Sequence, residues 1–424
     1  MSVKYIFPNE ILEIIFNFCD VYTLYQLSIV CRQFNSVACD TLNKKSQHLF
    51  VSITNQKRKK FYERCKPLLS SYDSIFITYC NWISASYKES NIYEEKRNMC
   101  RVHYSSNKCL QMTKNTIWFC GDYFLAYNRA KDGTIKKHKK IVGDNYAFIK
   151  SIAHCDDYII SGDVDGIIKH WRIESKKDKR NNLKYSVIHD VDEKIDFIDA
   201  TSQHIIIGSS NLIKILKYTD DKNGCTEEKQ IFYGVDVEQP DDYCFGNLNN
   251  ITSISFDPIG TKFAASFCGS NLSSTSILIY DIEKNNFSYH VMDKKFGGTC
   301  RQLLWEDPQT ILMCFEHSIK KMDMRTSKVV RTWDSSKYGL SLCCSSDNRY
   351  TFVTGYIKIV LWDQRQSDAI QTYTMDKYRG GICALEFDNT HIYVLKGSNL
   401  YELDFTERHH FDHKEIKKLF GNFY

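Results

Sequence analysis

Phe352-Val353-Thr354-Gly355 followed by Ile357-Lys358-Ile359-Val360-Leu361-Trp362-Asp363 is the stretch that decides the fold. Two short apolar and β-branched runs flank a glycine turn, and the second run ends in an aromatic residue and an acid. Such runs, bounded by turn residues, read as paired β-strands. Working outward, a strand ending in an apolar or aromatic residue followed by a polar one recurs at Phe124 to Asn128, Ile168 to Arg172 and Ile213 to Lys217. It continues at Leu278 to Asp281, Ile319 to Asp323, Val360 to Asp363 and Leu400 to Asp404. Counted from Tyr127, Trp171, Leu216, Tyr280, Met322, Trp362 and Leu403, the spacings are 44, 45, 64, 42, 40 and 41 residues. A four-stranded blade takes about 40–45 residues, so the long step holds an insertion. One blade cannot bury both of its faces, and blades therefore stack radially until a ring closes. The expected fold is mainly β, a β-propeller of seven blades, with six or eight as the alternatives.

Ile160-Ser161-Gly162-Asp163 before Gly166 to Trp171, and the pair quoted first, resemble the second and third strands of a WD repeat. Asp257-Pro258-Ile259-Gly260 reads as the turn after a blade's innermost strand. Most units lack both the Gly-His and the Trp-Asp landmarks, so the repeats are degenerate. The last unit shows three strands, Ile382 to Phe387, His391 to Leu395 and Leu400 to Phe405, and lacks an outer fourth. Asn98 to Tyr104 alternates suitably and is expected to supply that strand. The propeller is thus read over residues 98–408, with a tail at 409–424.

Ahead of the ring, Pro8 to Cys19 reads as a short helix. Proline suits the first turn, and Ile11, Leu12, Ile15, Phe16 and Cys19 form an apolar stripe. Thr23 is the expected N-cap of a second helix carrying Leu24, Leu27 and Val30, and a third carries Phe34, Val37, Ala38 and Leu42. Three short helices with so much apolar surface make a poor free-standing domain. The run Phe7-Pro-Asn-Glu-Ile-Leu12, with Ile15-Phe16, Leu24, Leu27 and Val30-Cys-Arg-Gln-Phe34, resembles the F-box. It departs from the usual pattern at Phe7, where leucine is commoner, and at Thr41-Leu42-Asn43, where a tryptophan is missing. The resemblance implies that Pro8, Ile11, Leu12, Ile15, Phe16, Leu24, Leu27, Val30, Cys31 and Phe34 supply the box core and its face for a Skp-type adaptor. The box is read over residues 1–48. A partly helical linker follows over 49–97, with a basic helix from Lys57 to Lys66 that Pro67 ends. Leu49 to Ile53 and Ser74 to Tyr79 are expected to be short strands.

The chain therefore resembles the F-box/WD-repeat family, substrate receptors of SCF-type ubiquitin ligases, and Cys80-Asn81-Trp82 is similar to the dactylin branch. The family resemblance implies a cullin reached through the adaptor, and a protein substrate across the top of the ring. Several family members read phosphorylated or acidic motifs with arginines, whose planar forks suit phosphate oxygens. Arg301 and Arg379, at inner-strand entrances, are the first candidates, and Arg101 and Arg129 the weaker ones. Two rival readings stand beside this one. Leu361-Trp-Asp-Gln-Arg365 resembles the W-D-x-R pattern of receptors for a propeller-type adaptor on another cullin, and a WD-repeat scaffold needs no ubiquitin transfer.

Other classes fit poorly. No phosphate-binding loop, Gly-x-Ser-x-Gly or H-E-x-x-H occurs, so no catalytic residue is expected. His409, His410 and His413 lack partners at ligand spacing, and no C-x-x-C exists, so neither metal nor cofactor is expected. His170 and His317 read as satisfied core or surface groups. A net charge of +5 gives no dedicated nucleic-acid surface. The absence of a leader pattern at Met1 to Lys4 and of a long apolar run predicts a soluble chain without a membrane span. The 17 cysteines are then reduced thiols of a cytoplasmic or nuclear protein. The acidic stretch from Asp220 to Asn250 reads as a loop. The basic runs Lys136 to Lys140 and Lys176 to Arg180 read as outer-strand protection.

Overall fold

The computed structural model describes residues 7–19, 21–49, 56, 59–69, 72–94, 108–120, 124–142, 149–155, 158–175, 181–209, 212–219, 224–232, 248–269, 275–293, 298–375, 380–397 and 399–407. Seven four-stranded antiparallel sheets follow the helices. Their innermost strands are Leu110–Met112, Ile149–Cys155, Phe197–Ala200, Leu248–Phe256, Cys300–Asp307, Cys343–Ser346 and Ile382–Phe387, heading blades 1 to 7. Each adjoins the next, and the last returns to the first, so the ring is closed with seven blades.

The residues that carry the sequence period explain it. Tyr127, Trp171, Leu216, Tyr280, Met322, Trp362 and Leu403 all lie on third strands and are all buried. In blades 2 and 6 the indole also donates to the neighbouring second strand, Trp171 Nε1 to Ser161 Oγ at 2.7 Å and Trp362 Nε1 to Thr354 Oγ1 at 3.1 Å. A buried indole N–H needs such a partner. A second repeat lies ahead of the innermost strands. Gly298 and Gly339, 41 residues apart, precede blades 5 and 6, both at φ +108°, where a side chain would be strained. The Asp257 turn is as read: its Oδ1 accepts the N–H groups of Gly260 and Lys262, both at 2.9 Å.

Ring closure is of the expected kind but uses another segment. Lys88–Tyr93 pairs with Asn399–Asp404 as the outer strand of blade 7, in the register Lys88 to Asp404 through Asn91 to Tyr401. The segment 98–104 lies outside the described residues, as do the tail from 408 and Lys176 to Arg180. The stretch read as a linker thus contains part of the ring. Within the acidic stretch, Cys225–Phe232 is the outer strand of blade 3 rather than loop, and 220–223 and 233–247 lie outside the described residues. Lys136 to Lys140 falls in the outer strand of blade 1, Ile135–Val142.

Among the described residues, five helices precede the ring: α1 Asn9–Asn17, α2 Val21–Ser28, α3 Arg32–Leu49, α4 Lys59–Tyr62 and α5 Tyr72–Ser84. Pro8 sits at the start of α1 as its cap residue. Thr23 does not cap α2, which begins two residues earlier. Ser74 to Tyr79 is helix, not strand. Ile75, Phe76, Tyr79, Cys80 and Ile83 recur at helical spacing, and the first four of them are buried in one core. That core joins Leu12, Phe16, Leu24, Val37 and Ala38 of the box to Phe387 and Phe405 of blade 7 without interruption. No helix among the described residues is long and apolar enough to cross a membrane.

Candidate functional site

The α1 stripe divides into two faces. Leu12 and Phe16 point inward at 2% and 1% exposure, and Phe16 meets Phe34 edge-on at 5.4 Å. Leu24 is also fully buried, and Leu27 and Phe34 are partly buried against the same core. Pro8, Ile11, Ile15, Val30 and Cys31 are exposed instead. The ten box residues therefore comprise inner packing and an outer surface. Four members of that surface were missed in the sequence: Phe7, Ile14, Phe18 at 87% exposure and Ile29 at 61%. Ile11, Ile14, Ile15 and Phe18 share one side of a helix by their three- and four-residue spacing, the signal that could have found them. Gln33 Nε2 donates to Phe7 O and Asn9 Oδ1, both at 2.9 Å, and so holds the start of α3 against the start of α1.

The chain between α4 and α5 is anchored on blades 7, 1 and 6. Lys66 N donates to Asp388 Oδ2 at 3.2 Å, and Asn389 Nδ2 to Pro67 O at 3.0 Å. Lys66 Nζ reaches Arg129 O at 3.0 Å and Asn115 Oδ1 at 3.2 Å. Arg64 pairs with Glu386 at 3.2 Å and reaches Ser345 Oγ at 3.4 Å. Asn115 and Asp388 to Thr390 lie in the turns joining first to second strands, which defines the near face of the ring. The described part of the linker, residues 64–67, is thus packed against the ring. Trp82 of α5 is fully buried and stacks on Phe405 at 4.1 Å.

Arg129 belongs to this anchorage, not to a substrate site. Its side chain is fully buried, ion-paired with Asp388, and donates to Arg64 O at 2.6 Å, Lys66 O at 3.0 Å and Tyr393 Oη at 3.2 Å. Burial alone would raise the Asp388 carboxyl, but Arg129 and the neighbouring donors hold it well below the usual carboxylate range. Arg365 of the W-D-x-R stretch is likewise occupied: its Nη2 donates to Asp363 Oδ2 at 2.6 Å and its Nε to Asp363 Oδ1 at 3.0 Å.

Arg301 lies on the far face, where second strands turn into third strands and innermost strands begin. It is partly exposed, and its Nε donates to Glu316 Oε1 at 3.0 Å. Exposed His317 follows Glu316 in the same turn. His170 instead packs on Tyr158, ring centroids 4.0 Å apart. Arg101, Arg379 and the histidines at 409, 410 and 413 lie outside the described residues. Among the described residues no cluster of His, Cys, Asp and Glu is arranged to hold a metal. Burial pushes the Cys65 and Cys300 thiols up to about 12, which leaves little thiolate at neutral pH.

Residues 7–46 match the F-box-like family. Comparison with curated proteins gave no match. Among solved structures, the crystal structure of the WD40 β-propeller domain of Doa1 is similar over 68% of this chain and 88% of that chain, at 13% identity and a TM-score of 0.48. The F-box-like segment thus stands ahead of a closed, seven-bladed propeller.

Proposed function

We propose that this chain is the substrate-recognition subunit of an SCF-type ubiquitin ligase, without catalytic groups of its own. The observation that carries the reading is the division of the box. Its inner side is used by the chain's own core, while Ile11, Ile14, Ile15, Phe18, Ile29 and Val30 stay exposed. A Skp-type adaptor covers that outer side and brings a cullin. The linker contacts described above are on the near face of the ring and at the near-face ends of the innermost strands of blades 6 and 7, so the far face is the place for a protein client. Arg301 there serves an acidic or phosphorylated segment, Glu316 being displaced as the client's anion takes its place; Arg379 and Arg101, outside the described residues, are assigned the same role. Ubiquitin transfer is accelerated by the raised local concentration of client lysines.

Two variants of the full chain separate the surfaces. Ile15→Asp/Phe18→Asp is expected to lose the adaptor and cullin on affinity purification while retaining the client. Arg301→Ala/Arg379→Ala is expected to do the reverse. Retention of the adaptor by the first variant contradicts the adaptor assignment, and unchanged client capture by the second contradicts the arginine assignment.

A further inference from the structure

One helix serves both the box and the seam of the ring. Toward its start, Phe76 stacks on Tyr25 of α2 at 4.9 Å, inside the core that holds Leu12, Phe16 and Leu24. At its end, Asn81 Nδ2 donates to Phe405 O at 2.8 Å and Glu407 O at 2.7 Å, while the Trp82 carbonyl accepts from Tyr373 Oη at 2.8 Å. Trp82 Nε1 donates to Asn389 O at 3.3 Å. Phe405 directly follows the third strand of blade 7, and Lys88, which opens that blade's outer strand, comes four residues after α5 ends. Asn81 and Trp82 thus hold together the two segments whose pairing closes blade 7. Asn81, Trp82 and Phe405 are all fully buried, so water cannot readily replace these contacts.

We infer that the box is the clasp of the ring: α1 to α3, α5 and the blade 7 seam open and close as one cooperative unit. Two sites that bias one two-state element are coupled, and the coupling is reciprocal. A partner that covers the outer side of the box therefore tightens the ring, and a client bridging blades 7 and 1 strengthens the grip on that partner. This last step rests on the adaptor reading. The clasp itself does not.

Hydrogen exchange of the full chain tests it. In Leu24→Ala, the amides of 88–93 and 399–404 are expected to exchange faster by the same factor as those of the box, about tenfold or more, while 204–218 in blade 3 stays unchanged. In Asn81→Ala, which leaves the box core intact, faster exchange at the seam is expected to carry the box amides with it. Box exchange that rises without the seam in the first variant, or a seam that loosens without the box in the second, overturns the clasp. Adding a purified Skp-type adaptor is expected to slow exchange at both places. Binding that leaves the seam unmoved overturns the coupling. If the adaptor does not bind at all, the ligase reading fails, and the two variants still decide the clasp.

Discussion

Arg129 and Asp388 show how a charged pair serves architecture at the residue scale. Both side chains are fully buried, and the guanidinium spends its donors on linker carbonyls. Removing one partner of such a pair leaves an uncompensated charge, so Arg129→Met is expected to lower unfolding free energy by about 3–5 kcal/mol in urea titration. Glu402 runs the opposite way. Burial, above all, raises its carboxyl from 4.5 to about 7, although its oxygen accepts Ile135 N at 3.1 Å. The unfolded chain loses that proton near 4.5 and the folded protein keeps it until about 7, so the stabilisation is complete below 4.5 and is lost as pH rises through 7. Glu402→Gln keeps the acceptor and removes the charge. Its expected outcome is a gain on the order of 3 kcal/mol at pH 8 and almost none at pH 4, read by thermal unfolding at both values. None of this was legible in the sequence, because the burial of Arg129 depends on a linker 63 residues away in the chain.

At the scale of elements, periodicity spoke clearly for α1 and poorly for α5. The α1 stripe is wider than one core can absorb, which is why Leu12 and Phe16 pack while Ile11, Ile14, Ile15 and Phe18 remain outside. Leu12→Ala is expected to cost about 2–5 kcal/mol by leaving a cavity. Phe18→Asp is expected to change stability by no more than about 0.5 kcal/mol, since its site is already in water. Calorimetry of the two variants checks the contrast. For α5, Ser74 to Tyr79 contains enough β-branched and aromatic residues to read as a strand, and only the burial of Ile75, Phe76, Tyr79 and Cys80 along one stripe shows the helix. Cys80-Asn81-Trp82 stood out in the sequence, but what it grips, Phe405 and Asn389, is more than 300 residues distant in the chain.

For the whole molecule, the seven-blade ring could be read from seven buried third-strand residues spaced 40–45 apart in all but one step. The closing strand could not, because Lys88–Tyr93 is polar and short and its partner lies at the far end of the chain. Alternation favoured 98–104, whereas pairing geometry selects 88–93. Box, linker and ring make one packed body, with the apolar box surface turned outward and Arg301 on the ring's far face. The outward surface is proposed to receive an adaptor. Titrating a purified Skp-type adaptor into the full chain by isothermal calorimetry measures it directly. One adaptor per chain is expected to bind with a Kd of about 1 μM or tighter, and binding is expected to be abolished in Phe18→Asp/Val30→Asp at unchanged Tm. No binding by a chain that unfolds cooperatively, or equal binding by that variant, contradicts it.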